Sequence, residues 1–145
     1  MKMISPSLLD AEEYAAVQAH RHIKRPSQCP QCKEPRTLRA LGFYSRSVTS
    51  PATGGVVTIK VRRFLCGHCR RSLSILPSFA QPYRLICSFT IERFFNKSSV
   101  GRDTLQWHGL LRRYWRRFNS WIPELVAIVG RTFGLSPPTH VGQSS

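Results

Sequence analysis

CPQC (residues 29–32) and CGHC (66–69) bracket a stretch that reads as one β-hairpin, and this segment, Cys29 to Cys69, decides the fold. A C-x-x-C turn sets two thiolates along one edge of a tetrahedron, and a hairpin that returns the chain brings the second pair to complete it. The spacing predicts a zinc ribbon with Cys29, Cys32, Cys66 and Cys69 as ligands. Four thiolates close the coordination sphere, so the Zn2+ would be structural and function would lie on the surface around it. A rubredoxin-like iron site uses similar spacing, which leaves zinc and iron both open. Pro30 stiffens the first turn, and Gly67 is expected to supply a positive φ angle in the second. His68 sits inside the second pair, but four thiolates already satisfy a tetrahedral ion, so its imidazole is expected in solvent or against phosphate.

Between the knuckles, Thr37 to Val48 is rich in strand formers, SPATGG (50–55) supplies turn residues, and Val56 to Phe64 alternates. Val57, Ile59 and Val61 point one way and Thr58, Lys60 and Arg62 the other, giving one apolar and one basic face. Two strands alone are marginal in water, so the metal and the following helix are expected to supply the missing stability.

Charge narrows the partners. The 145 residues carry 22 Lys and Arg against 7 Asp and Glu, a formal net charge of +15, which favours a polyanion. The sequence offers nothing near the roughly 20 apolar residues of a bilayer span, and the MKMISPSLLDAEEY start lacks the apolar core of a signal peptide. A cytoplasmic address is expected, where paired cysteines are metal ligands rather than disulfides; the fifth cysteine, Cys87, reads as a small buried hydrophobe.

Around the ribbon the pattern is helical. Asp10 with Glu13 forms a capping box ahead of a helix from Ala11 to about Arg21, ended by Pro26. Pro82 is placed at a second helix start, with Leu85, Ile86, Phe89, Ile91, Phe94 and Phe95 on its apolar stripe and a break at KSSVG (97–101). Asp103 or Thr104 caps a third helix through LQWHGLLRRYWRRFNSW, whose regular part begins at Leu110 because Gly109 weakens its middle. Pro123 restarts a last apolar helix, Glu124 to Phe133, with Gly134 as its cap and a frayed tail beyond. The fold class is α+β: an N-terminal helix and linker (1–26), the ribbon (27–80), a helical region (81–136) and a disordered tail (137–145).

Two basic clusters stand out. Lys60, Arg62, Arg63, Arg70 and Arg71 flank the second knuckle as a positive ridge with few acidic neighbours. Arg112, Arg113, Arg116 and Arg117 fall in a roughly 140° arc of a helix whose other side carries Leu111, Tyr114, Trp115, Phe118 and Trp121. Arginine rather than lysine favours bidentate contact with phosphate or guanine.

The order CPQC, a basic hairpin ending VRRFLCGHC, then SILPSFAQPYR and a helix resembles the zinc-ribbon modules at the N-termini of bacterial insertion-sequence transposases, and small proteins in which such a ribbon precedes a helix-turn-helix. The cysteine pairs and the LP-x-F-x-x-PY stretch, Leu76 to Tyr83, carry the resemblance. It implies DNA binding, with the cysteines acting through folding and the adjacent arginines through contact. If the KSSVG break separates two packed helices, the arginine helix stands where a recognition helix would.

Catalysis is not expected. A two-metal nuclease site needs several carboxylates, and only Glu92, Asp103 and Glu124 lie beyond the ribbon. The expected partner is double-stranded DNA, with a transposase or other protein as a further partner. Two other readings stay open: a single-strand or RNA binder stacking bases on Phe43, Tyr44 or Trp107, and an adaptor offering its C-terminal apolar helix to a protein.

Overall fold

The computed structural model describes residues 1–97 and 101–134. The middle of the expected KSSVG break and the expected tail lie outside them. The chain is α+β and divides into two compact units, Met1–Trp107 and a second that begins at His108.

The first unit is built on a four-stranded sheet in the order β1-β4-β3-β2. The hairpin strands are β2 (Leu38–Thr49) and β3 (Val56–Cys66), joined by the expected turn. Two further strands were not expected: β4 (Ser72–Pro77) runs antiparallel to β3, and β1 (Lys2–Ser5) runs parallel to β4. β4 therefore lies between two partners, and Leu73, Ser74, Ile75 and Leu76 are all buried. A strand covered on both faces does not alternate, so its sequence gives no period-two signal. The hairpin expected to lean on a metal and the following helix is thus also supported by two further strands.

The alternation expected on β3 holds only for its first half. Ile59 and Val61 are buried on one face, but past Arg62 and Arg63 the buried positions become Phe64 and Cys66, on the other. Two separate clusters result. Val48, Ile59, Val61 and Leu76 pack with Ala11, Tyr14, Ala80 and Cys87, while Leu38, Phe64, Leu73 and Ile75 pack with Cys29 and Cys66. On β2 the partner register shifts at Leu41, beside Gly42 with φ +104°; this bulge adjusts the hairpin near the phase change.

Helix α1 spans Ala11–Ala16, with the Asp10/Glu13 capping box formed as expected. It is shorter than the composition suggested. Gln18 takes a left-handed φ of 50°, and Ala19–His22 continue only as a 3₁₀ turn. Helix α2 begins at Ser88 rather than Pro82 and ends at Phe95. Tyr83 has φ +61° and is exposed, and Arg46 donates Nη2 to the carbonyls of Gln81 and Arg84, holding residues 81–84 in a loop. Of the expected stripe Ile86 is fully buried, whereas Phe89 is exposed. Cys87 is buried as expected, at the N-cap of α2, with Sγ 3.2 Å from Thr90 Oγ1.

Helix α3 spans Arg102–Gln106 and is capped by Gly101, not by Asp103 or Thr104; the Thr104 hydroxyl accepts the Gly101 N–H at 2.9 Å. Asp103 is instead 1% exposed and accepts from Thr90 Oγ1 and from Arg93 Nη2, each at 2.5 Å. The same Arg93 nitrogen reaches the Pro51 carbonyl at 3.3 Å, and Trp107 Nε1 donates to the Gly54 carbonyl at 2.7 Å. The hairpin turn is thus tied to α2 and α3 by polar bonds.

Gly54 sits in this junction with φ +74°. A Cβ there would stand 2.9 Å from the Asp103 Cα and 2.6 Å from Gln106 Oε1. Gly42 has a positive φ too, but its Cβ would meet nothing within 4 Å. Gly54→Ala is therefore expected to cost about 2–3 kcal/mol, and Gly42→Ala about 1 kcal/mol from backbone strain alone. Urea unfolding of the two variants measures the difference; equal losses would mean that the turn is not clamped.

The second unit is helix α4, His108–Phe133. It begins before Gly109 and continues through Pro123, where two helices were expected. Proline removes one N–H and so frees the Asn119 carbonyl, and both residues are exposed, so water can take the lost bond.

Candidate metal centre

Each C-x-x-C pair occupies the same turn. Cys29 N–H donates to the Glu34 carbonyl (3.1 Å) and Lys33 N–H to the Cys29 carbonyl (2.8 Å). In the second turn Cys66 N–H donates to Arg71 O (3.0 Å) and Arg70 N–H to Cys66 O (3.1 Å). The two knuckles are repeats of one backbone motif. Their left-handed residue is the one after the second cysteine, Lys33 (φ +62°) or Arg70 (φ +58°). Gly67, expected to hold the positive φ, does not; its N–H instead donates to the Thr37 carbonyl at 2.8 Å.

The hairpin then brings the pairs together. All four sulfurs lie within 4.8 Å of one another, with Cys29–Cys69 at 3.8 Å and Cys32–Cys66 at 3.7 Å. A tetrahedral ion with metal–sulfur bonds of about 2.3 Å requires sulfur–sulfur edges of about 3.8 Å. The leading cysteine of each pair, Cys29 or Cys66, is buried and belongs to the second core cluster, while Cys32 and Cys69 are half-buried.

Electrostatics favour thiolates at the leading positions. The Cys66 thiol is pulled down to about 6, first by the Thr37 hydroxyl 3.2 Å away and then by the N–H groups of Cys69 and His68. Cys29 is lowered by the N–H of Cys32, then that of Gln31. At Cys32 the N–H of Glu34 also pulls down, but burial and the three neighbouring sulfurs outweigh it and push the thiol up to about 11. Four sulfurs this close resist holding four negative charges together. A multivalent cation removes that conflict, and the donor set fits one.

The expected basic residues differ in exposure and in their neighbours. Lys60, Arg70 and Arg71 are exposed, as is His68. Arg62 is half-buried, its guanidinium 4.6 Å from the Phe43 ring centre and 5.5 Å from that of Phe64, and Arg63 lies 5.8 Å from the centre of Tyr44. The His20 and Phe43 rings stand nearly perpendicular with centroids 4.8 Å apart. His20 is nearly buried and its pKa is lowered, first by burial and then by Lys60, Arg21 and Arg62. On α4, Arg112, Arg113, Arg116 and Arg117 are all exposed. Sequence reasoning missed the Asp103–Arg93–Thr90 network, because a lone carboxylate near a helix start reads as a cap.

An α+β scaffold whose paired cysteine knuckles bring four sulfurs within 4.8 Å of one another has a donor set that could hold one metal ion. Residues 29–115 match the model of a domain of unknown function, DUF6431, and the chain belongs to that family. No curated protein and no solved structure matches the chain. The match begins at the first cysteine and includes all four, together with Arg93, Asp103, Arg112 and Arg113. Among the described residues no helix is long and apolar enough to cross a membrane.

Proposed function

We propose that the chain is a zinc-ribbon DNA-binding protein, in which a structural Zn2+ holds the knuckles, and exposed basic side chains of the first unit and of α4 engage duplex phosphate. The observation that carries this reading is the net charge of +15 together with the exposure of Arg70 and Arg71 next to the second cysteine knuckle, of Lys60 farther along β3, and of all four α4 arginines. So many unneutralised cations favour a polyanion, whose condensed counterions are released on binding. Zinc is preferred over iron because a structural tetrathiolate needs no redox chemistry and zinc has no geometric preference to oppose the fold. The role is binding rather than catalysis, since four thiolates leave the ion no open position. The resemblance of the CPQC–VRRFLCGHC–LPSFAQPY order to transposase ribbons supports an origin in a mobile element, with a transposase as a partner.

The test is binding of a labelled duplex to the metal-loaded protein, followed by anisotropy between about 50 and 200 mM salt. Replacing Arg112, Arg113, Arg116 and Arg117 by Ala should weaken binding and flatten the logarithmic salt slope by about 0.9 for each phosphate contact removed. An unchanged slope removes these arginines from the interface. Competition by single-stranded DNA and RNA tests the second reading, favoured by Phe43, 41% exposed and already stacked by Arg62. Under that reading, single strands would displace the duplex and Phe43→Ala would weaken them selectively.

A further inference from the structure

We propose that the C-terminal half of α4 is a self-association seam, and that its occupant is the same helix of a second copy, running antiparallel. Trp121, Ile122, Leu125, Ile128, Val129 and Phe133 are between 38% and 71% exposed. At about 100° per residue these six fall within an arc of about 140°. Trp121 recurs as Ile128 and Ile122 as Val129, one heptad on, with Leu125 between, which is the spacing of a helix that packs along another helix. Pro123 falls on the far side of the helix, where it does not obstruct packing.

Charge and area identify the occupant. Glu124 and Arg131, one heptad apart, flank the seam on the same side, and they lie at equal distances from the point between Ala127 and Ile128. An antiparallel copy crossing at that point sets the Glu124 of each helix beside the Arg131 of the other, so the opposite charges meet twice. A parallel copy would set Glu124 against Val129 and gain neither pair. Arg131 donates Nε to the Ala127 carbonyl at 3.2 Å, which already lays its side chain back toward the crossing point. The six side chains expose on the order of 500 Å² per copy, hence at most about 1,000 Å² for the pair, the lower bound for a specific association and the size expected of a weak dimer. The pairing does not depend on the nucleic-acid reading.

Sedimentation of the full metal-loaded chain from about 1 to 100 µM provides the test. A concentration-dependent dimer is expected. Leu125→Glu with Ile128→Glu should raise its dissociation constant by at least about tenfold while cysteine-bound metal stays at the wild-type level, showing that the ribbon is folded. Glu124→Arg alone and Arg131→Glu alone should each weaken the dimer, and the double swap should restore it. A chain monomeric across the range overturns the proposal, and binding of that monomer to phosphatidylglycerol vesicles would assign the stripe to lipid. A dimer indifferent to the seam substitutions also overturns it, and indifference to the charge swaps alone overturns the antiparallel arrangement.

Discussion

Cys66→Ser is expected to abolish stoichiometric metal binding and to lower stability by at least about 4 kcal/mol, enough to unfold the knuckle end of the sheet at moderate temperature. Cys66 is one of the four clustered sulfurs, a fully buried member of the second core cluster, and its Sγ lies 3.2 Å from the Thr37 hydroxyl. Its replacement leaves three thiolates around an ion that prefers four, and a hydroxyl among Phe64, Leu73 and Ile75. Removing the metal from the intact chain should act in the same direction, because the sulfurs at 3.7 and 3.8 Å then repel one another as they ionise. Cys87→Ser supplies the control. Cys87 lies outside the cluster, and serine is a good residue for the N-cap it occupies. Metal content by mass spectrometry and melting by circular dichroism, with and without chelator, measure both. Full metal content in Cys66→Ser, or a melt indifferent to chelator in the wild type, would remove the centre from the account of the fold.

Asp103→Ala should cost about 3 kcal/mol, a large loss for a polar residue outside the cysteine cluster. The carboxylate is buried and takes both Thr90 and Arg93, and without it the Arg93 guanidinium has no counter-charge. Breaking one side of a buried pair costs more than the pair contributes, and the 18% exposure of Arg93 keeps the loss near the lower end of the usual range. Arg93→Leu added to Asp103→Ala should recover part of it, because the stranded charge is then gone. Chemical denaturation of the single and double variants reads this coupling as a mutant cycle. Additive losses would show that the two side chains act independently.

The cysteine spacing made the four-sulfur cluster legible, since a C-x-x-C turn permits few geometries, and the Val56–Val61 alternation made the hairpin legible. What the sequence did not reveal has a common physical cause. β4 is covered on both faces and β3 changes its buried face midway, so neither presents a sustained period of two. The positive φ angles of the knuckles fall on Lys33 and Arg70, where tertiary geometry overrides the local preference that pointed to Gly67. Asp103 and Arg93 are ten positions apart, and nothing local announces that a carboxylate and a guanidinium will be buried together.

The turn at residues 50–55 looks in sequence like an ordinary surface connection, the kind that accepts a peptide tag or drifts in length among homologues. Its carbonyls at Pro51 and Gly54 are instead held by Arg93 and Trp107, and its last bend has no room for one more carbon. Among DUF6431 sequences this stretch should keep a fixed length, and an epitope inserted there would unseat two helices rather than decorate a hairpin.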